Sequence, residues 1–344
     1  MLTSLELCAG AGGQALGLHL AGYRHLSLVE NDTAACETLN YNNIKHKLGW
    51  AHATPKDLTE YDASYLCGQI DLVAGGVPCP PFSKAGKQLG KDDERDMFPH
   101  ALRIVEQVQP KAVMFENVSG LLDSRFDEYR QEIDARLSEL GFENSWRLLN
   151  ASDYGVPQLR PRVVMVATRK ELFCHFKWPE KQPERAPTVG NALYDLMAAN
   201  GWPGADEWKE KANKIAPTLV GGSKKHGGPD LGPTRAKKAW KELHVNGHRV
   251  GNEVPGPDYA GVREGYENMP LLTVRMAARI QGFPDWWEFT GKKTAAYRQV
   301  GNAFPPPVAQ AVAEQIKLAL EAYKYANKAD QLEMIIDSPE ASLA

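Results

Sequence analysis

Apolar and polar positions follow two different rhythms along this chain. Up to about Arg169, short apolar runs recur between glycines, prolines and acids: Leu2 to Leu7, Leu26 to Glu30, Ile70 to Ala74, Ala112 to Phe115 and Val163 to Thr168. Runs of that length and setting predict buried strands. Amphipathic stretches with helical spacing lie between them, among them Ala101 to Gln109 and Asp127 to Leu140. Strand and helix in alternation predict an α/β fold, a doubly wound parallel sheet. From about Glu180 to Pro270 the texture changes to Gly, Pro, Lys, His and Trp with little periodicity, which reads as a loop-rich second domain. A helical run, Thr273 to Gln281, ends at Gly282-Phe283-Pro284, and a last helix is expected from about Val308 to Ala326. The acidic tail past Ala329 reads as frayed.

Composition narrows the class. With 344 residues, 43% of them hydrophobic and 24% charged, the chain can form one large domain and a smaller one. No apolar run is long enough to span a bilayer, and the first residues lack a basic-then-apolar leader, so no membrane partner and a cytoplasmic setting are expected. Cys8, Cys36, Cys67, Cys79 and Cys174 are irregularly spaced, without a Cys-x-x-Cys pair. That pattern predicts neither disulfides nor a metal site. A net charge of −3 argues against a broadly nucleic-acid-binding surface. Between 201 and 250, however, ten Lys or Arg, Arg235 among them, stand against five acids, so a polyanion would meet the chain there.

The sharpest chemical signal is Gly75-Gly76-Val77-Pro78-Cys79-Pro80-Pro81-Phe82-Ser83. Prolines fix the backbone and stop regular structure, so the Cys79 thiol is presented on a rigid turn at a strand end. A structural thiol is the ordinary reading of an isolated cysteine, and the proline-rich turn favours a nucleophile instead. Ala112-Val113-Met114-Phe115 ends on Glu116, which could meet Cys79 at the carboxyl edge of the sheet, where ligands bind. Gln158-Leu159-Arg160-Pro161-Arg162 opens another strand, with two arginines on one face. They suit either surface salt bridges or phosphate and carbonyl contacts near the thiol.

Glu6-Leu7-Cys8-Ala9-Gly10-Ala11-Gly12-Gly13 is a glycine loop between strand and helix. Its spacing is not that of a dinucleotide loop. Glu30 ends the next strand, where an acid can take ribose hydroxyls. Asp57 follows a third possible strand end or serves as a helix N-cap. Together the three suit a nucleoside cofactor without pyrophosphate.

The order of these motifs resembles the DNA cytosine-5 methyltransferases, from Leu5 to about Ala313. The fold this implies is a Rossmann-like S-adenosylmethionine-dependent methyltransferase sheet with a smaller target-recognition domain. By resemblance, Cys8, Ala9, Gly10, Gly12, Gly13, Glu30, Asn31, Asp57, Leu58, Pro78, Asn302 and Ala303 contact S-adenosylmethionine. Pro78-Cys79 is similar to the nucleophile motif, Glu116-Asn117-Val118 to the glutamate motif, and Gln158, Arg160 and Arg162 to the Gln-x-Arg-x-Arg motif. Leu272-Thr273-Val274-Arg275 through Pro284, and Gln299-Val300-Gly301-Asn302, are similar to the later motifs. The chain departs from the pattern at Cys8, where a Phe is usual, at Asn31 for an aromatic, at Pro80 for Gln and at Ala303 for Ser. None of these removes a reacting group.

The resemblance implies that Cys79 adds to carbon 6 of a flipped cytosine, which turns carbon 5 into an enamine-like methyl acceptor. A free thiol titrates near ~8.5, so positive neighbours or loop dipoles are expected to ionise it. Protonated Glu116 meets ring nitrogen 3, Arg162 the base carbonyl and Arg160 a flanking phosphate, while Asn117 positions the base amino group or the Cys79 turn. Water is expected to take the carbon-5 proton. Residues 83–95 read as a lid over DNA, with Ser83, Lys84, Lys87 and Arg95 on phosphates. Gln158, Thr218, Lys224, Lys225, His226 and Arg235 complete the expected DNA surface, with Thr218-Leu219 similar to a recognition-domain signature. Trp202, Trp208 and Trp240 are expected to be core.

The boundaries drawn are 1–185 for the catalytic and cofactor-binding domain, 186–290 for recognition, 291–328 for a segment completing the catalytic domain and 329–344 for a disordered tail. The expected substrate is a specific site in double-stranded DNA, and the expected form a monomer, nucleoid-associated, beside a cognate restriction endonuclease acting independently. A tRNA cytosine methyltransferase would share the catalytic set, but the Cys-Phe-Thr signature of such relatives is absent. A non-catalytic DNA binder would not need Cys79 and Glu116. A nicotinamide dehydrogenase would leave Cys79 without a role.

Overall fold

The computed structural model describes residues 1–79, 96–222 and 229–336, with side chains as far as residue 324. The elements in chain order are β1 (Leu2–Leu7), α1 (Gly13–Leu20), β2 (Tyr23–Val29), α2 (Thr33–His46), β3 (Leu72–Gly75), α3 (Phe98–Val108), β4 (Ala112–Val118), α4 (Asp127–Glu139), β5 (Phe142–Asn150), β6 (Gln158–Leu159) and β7 (Pro161–Arg169). They continue with α5 (Lys170–Phe173), α6 (Val189–Ala198), α7 (Ala205–Lys211), β8 (Ala216–Pro217), α8 (Thr234–Lys241), α9 (Val274–Ile280), α10 (Lys293–Asn302) and α11 (Pro306–Ile336).

Six strands form one sheet in the order β2-β1-β3-β4-β7-β5. Pairings β1–β2, β1–β3 and β3–β4 are parallel, whereas β7 runs antiparallel to both β4 and β5. The sheet is therefore mixed, not wholly parallel as the rhythm predicted. The link 151–160 between β5 and β7 is too short to carry a crossover helix, so the chain must turn back antiparallel. The strand β5 was missed because Glu143, Arg147 and Leu148 are exposed on this edge strand and hide any apolar run.

Alternation sorts the central strands onto two faces. On β3 and β4, Val73, Val113 and Phe115 join a cluster with Phe98, Ile104 and Val105 of α3 and Ile133 and Leu137 of α4. Leu72, Ala74, Ala112 and Met114 face the other way, onto Leu18 of α1 and Val308, Val312 and Ile316 of α11. Both faces are thus covered, as parallel strands require. The last helix can lie on α1 because position 17 is glycine: a Cβ there would stand 2.5 Å from both Ala309 Cβ and the Pro306 carbonyl. That helix continues to Ile336, beyond the expected end at Ala326, and residues 337–344 lie outside the described residues.

The region read as loop-rich contains three short helices, α6, α7 and α8. Trp202, Trp208 and Trp240 are only 5%, 2% and 0% exposed, which makes them core and not stacking platforms. Their cluster runs without a break into Leu16, Leu39 and Trp50. The two-residue pairing of β6 with β8 brings this region onto the sheet side, Gln158 opposite Ala216 and Leu159 opposite Pro217.

Candidate active site

The carboxyl ends of β1, β2, β3 and β4 lie along one edge, and β2 and β3 flank β1 on opposite sides. That is the switch point at which open α/β sheets bind ligands. A cavity of about 380 Å³ opens there, lined by residues at or just past the ends of those strands and by Arg298, Gln299, Asn302, Ala303 and Phe304. Its volume suits a cofactor-sized molecule.

Glu30 follows β2 and is held rigidly. Its Oε2 accepts from the Gly10 amide at 2.7 Å, and its Oε1 accepts from Asn31 at 2.9 Å and Asp32 at 2.7 Å. Cys8 adopts φ 51° beside it, and burial with the Glu30 charge pushes its thiol up to about 12, so it is inert. Asp57 neither ends a strand nor caps a helix. After a single bridge between Glu30 and Pro55 the chain turns, and Asp57 Oδ1 accepts from the Thr59 amide and hydroxyl, both at 2.8 Å, which holds its carboxyl below the usual range. Ala9, Gly10, Gly13, Asn31, Leu58, Pro78, Asn302 and Ala303 also line this cavity, whereas Gly12 packs against Leu39 and Trp287.

Glu6 and Gln14 are among the lining residues that were not expected. Glu6 is 0% exposed, burial lifts its carboxyl well above the usual range, and neither oxygen has a hydrogen-bond partner among the described residues. Gln14 donates to the Met114 carbonyl at 3.3 Å, while its Oε1 has no partner among the described residues. The signal was present: an acid inside Leu5-Glu6-Leu7 occupies a position that burial normally reserves for apolar side chains. A buried carboxyl without a donor, opening on a cavity, fits a cationic group of a ligand.

A second cavity of about 340 Å³ adjoins the first and shares Gly76, Pro78, Glu116 and Asn302 with it. Antiparallel pairing of β4 with β7 sets Val118 opposite Arg162, so Glu116 and Arg162 meet at 2.8 Å between Oε1 and Nε. Burial lifts the Glu116 carboxyl despite Arg162 and Arg160, which pull the other way. Asn117 grips the nucleophile turn: its Nδ2 donates to the Val77 carbonyl at 2.7 Å, and the Cys79 thiol donates to its Oδ1 at 3.1 Å.

The electrostatics of Cys79 differ from expectation. Burial raises its pKa, the Asn117 bond lowers it, and the charges that bear on it among the described residues, Asp96 and Glu116, are negative. The resting thiol is therefore protonated.

The two arginines do not share a task. An amide contact from Arg160 back to the Gln158 carbonyl at 3.0 Å turns the chain between β6 and β7. Arg160 is 1% exposed and donates to the carbonyls of Leu219 at 2.8 Å, Gly301 at 2.9 Å and Ala303 at 3.1 Å. So enclosed, it cannot also take a flanking phosphate, which corrects that expectation. Gln158 is likewise fully buried, donating to Gln281 Oε1 at 2.6 Å and accepting from the Leu219 amide at 2.8 Å, so it orders the backbone and does not face DNA. Arg160 thereby clamps the segment at Leu219 onto 301–303, and Gln158 ties the same segment to Gln281 at the end of α9. There Gly221 crosses Gly301 so closely that a Cβ on Gly221 would stand 2.6 Å from the Arg298 carbonyl. Replacing Arg160 by methionine takes the side-chain donors from the Leu219 and Gly301 carbonyls, while the Ala303 carbonyl keeps Gln281 Nε2, and is expected to lower unfolding free energy by about 2 kcal/mol or more. Urea unfolding with an unchanged midpoint would count against the clamp.

Thr218 lines the second cavity and donates to the Leu159 carbonyl at 2.6 Å, and Arg235 is exposed on α8. Ser83, Lys84, Lys87, Arg95, Lys224, Lys225 and His226 lie outside the described residues, as does the lid expected over 83–95.

The profile of the C-5 cytosine-specific DNA methylases matches residues 2–318. The chain belongs to that family. It is a DNA (cytosine-5-)-methyltransferase, with S-adenosylmethionine as methyl donor. It is 51% identical over 326 residues to the Type II methyltransferase M.NgoMIV of Neisseria gonorrhoeae, covering 93% of this chain and 98% of that one. With M.NaeI of Lentzea aerocolonigenes it shares 52% over 320 residues, 93% and 75% of the two chains. In fold it is similar to DNMT2 of Spodoptera frugiperda, with a TM-score of 0.61 at 18% identity over 93% of this chain and all of that one. Among the described residues no helix is long and apolar enough to cross a membrane.

Proposed function

We propose that this methyltransferase modifies carbon 5 of a cytosine turned out of a specific double-stranded site, through a covalent bond between Cys79 and carbon 6. The observation that carries this reading is the pair of adjoining cavities sharing Gly76, Pro78, Glu116 and Asn302, with Cys79 bonded to a wall residue of the second. One would hold the donor and the other the base.

In the first cavity Glu30, oriented by three amides, would take the ribose hydroxyls, Asp57 the adenine amino group, and Glu6 with Gln14 Oε1 the ammonium. S-adenosylmethionine supplies an electrophilic methyl group on a sulfonium. In the second cavity Arg162 would hold the base carbonyl and Glu116, protonated, ring nitrogen 3. The thiolate of Cys79 adds to carbon 6, and the electron pair displaced from the 5,6 double bond gives carbon 5 its nucleophilic character. After carbon 5 is methylated, loss of its proton to water restores the double bond and expels the thiolate. Turning the base out costs a few kcal/mol and exposes both ring faces.

Glu6→Gln tests the cofactor half. A hydrogen bond to a charged group is worth about 1.5–3 kcal/mol, so S-adenosylmethionine should bind roughly 10- to 100-fold more weakly. Stability should move the other way. A carboxyl whose folded pKa is raised loses its contribution as pH climbs from the unfolded to the folded value, so cofactor-free Glu6→Gln should melt above wild type at pH 8 and converge with it in acid. Equal cofactor affinity in calorimetry would remove Glu6 from the site.

Residues 186–290 are proposed to read the DNA site, with residues 291–328 completing the catalytic domain. By analogy with the Type II relatives, the chain protects that site from a separate endonuclease, acting as a monomer on DNA in the bacterial cytoplasm. Mapping methylation of plasmid DNA base by base tests the whole reading. Carbon-5 methylcytosine at one recurring sequence is expected; methylation of transfer RNA alone would overturn it.

A further inference from the structure

We infer that Asp96 and Tyr129 are a positioning pair for the nucleophile, acting on Cys79 through the backbone of Met97 and Pro78. The inference rests on the reading of Cys79 as the attacking group. Asp96 is 7% exposed, and its Oδ1 accepts the Tyr129 hydroxyl at 2.6 Å and the amide of Phe98, the first residue of α3, at 3.1 Å. The intervening amide of Met97 donates to the Pro78 carbonyl at 3.0 Å. A carboxylate anchored between α3 and α4 thereby fixes the residue that holds the carbonyl just before Cys79.

The turn is gripped from two sides. Asn117 holds the Val77 carbonyl and Sγ from β4, and Met97 holds Pro78 from α3. Aromatic packing makes the second grip rigid: Tyr129 meets Phe98 edge-on at 5.9 Å, and Phe98 meets Phe115 of β4 edge-on at 5.9 Å. Asp96 and Tyr129 thus tie helices on one sheet face to the strand edge that carries Glu116.

The carboxylate does more than an amide would. Asparagine could accept the same two hydrogen bonds, but Asp96 also sets a negative charge near the thiol, and that charge opposes thiolate formation. Geometry and charge can therefore be separated by substitution. Asp96→Ala removes both, Asp96→Asn only the charge, and Tyr129→Phe one donor.

The experiment compares these proteins with Glu106→Gln, a change in an exposed ion pair with Arg136. It measures kcat and KM for DNA and for S-adenosylmethionine. It also follows iodoacetamide labelling of the Cys79 peptide against pH by mass spectrometry, which keeps exposed Cys67 and Cys174 separate. Asp96→Ala is expected to lose about tenfold or more in kcat with both KM values within threefold. Asp96→Asn should keep kcat within threefold at pH 8, while Cys79 labelling moves to lower pH by about half a unit. Tyr129→Phe should fall between wild type and Asp96→Ala, and Glu106→Gln should match wild type. A melting temperature that drops while kcat and the labelling profile stay at wild-type values would reduce the pair to a structural contact and overturn the inference. Labelling needs no methyl transfer, so a wild-type protein that labels normally but transfers no methyl group would fail the functional reading separately.

Discussion

Cys79→Ser protein should bind S-adenosylmethionine with unchanged affinity and methylate DNA at least about a thousandfold more slowly than wild type. The hydroxyl is nearly the same size as the thiol and can donate to Asn117 Oδ1 as the thiol does at 3.1 Å, so the turn keeps its place. What is lost is ionisation. Burial already holds the thiol protonated at rest, and a hydroxyl in the same surroundings stays protonated throughout the accessible range. Cys8 cannot substitute, because its own thiol is pushed up to about 12 on the cofactor side of Glu30. Two measurements check this, methyl incorporation under single turnover and trapping on DNA that carries 5-fluorocytosine. Fluorine on carbon 5 cannot leave as the proton does, so wild type should remain covalently attached and Cys79→Ser should not. A serine variant retaining a tenth of wild-type rate would remove Cys79 from the chemistry.

Much of the sheet edge could be read from the sequence, because buried strands interrupted by glycines and acids leave a pattern that neighbours cannot hide. Cys79 just past β3 and the loop from Cys8 to Gly13 fall where local chemistry put them, whereas β4 runs two residues beyond Glu116, to Val118. The reversal of β7 was not legible, since direction depends on the length and path of the 151–160 link. Arg160 and Gln158 illustrate a second limit. A polar residue in a strand motif looks the same whether it faces a ligand or three carbonyls of another segment, and the partners at Leu219 and Gly301 are far away in sequence. Glu6 was legible in principle as an acid within an apolar strand. Tyr129 was not, for it stands on α4 among exposed residues, and only the fold sets its hydroxyl on Asp96.

Glu116→Gln should lower the rate by roughly 10²- to 10⁴-fold, and should also change the shape of the pH profile. Wherever Glu116 is ionised and Cys79 protonated, the two buried groups rest in the wrong states for attack. Burial raises both the Glu116 carboxyl and the Cys79 thiol, but the carboxyl starts from 4.5 and the thiol from 9.0. Between their pKa values Glu116 is ionised against Arg162 and Cys79 is protonated. Attack needs the reverse, a thiolate and a protonated carboxyl on ring nitrogen 3. The reactive state therefore carries the same total number of protons as the resting state, one proton having left Sγ and one having reached Glu116. pH cannot alter the ratio of two forms with equal proton content. Wild-type kcat/KM should accordingly rise through the lower pKa, stay flat, and fall through the upper one. With glutamine at 116 no proton has to be gained there, and the rate should follow the thiolate alone, climbing about tenfold per pH unit up to the Cys79 pKa with no plateau. The pH dependence of kcat/KM for both proteins, on the same DNA, decides the matter. A Glu116→Gln profile as flat as wild type would mean that Glu116 holds Arg162 in place and donates no proton to the base.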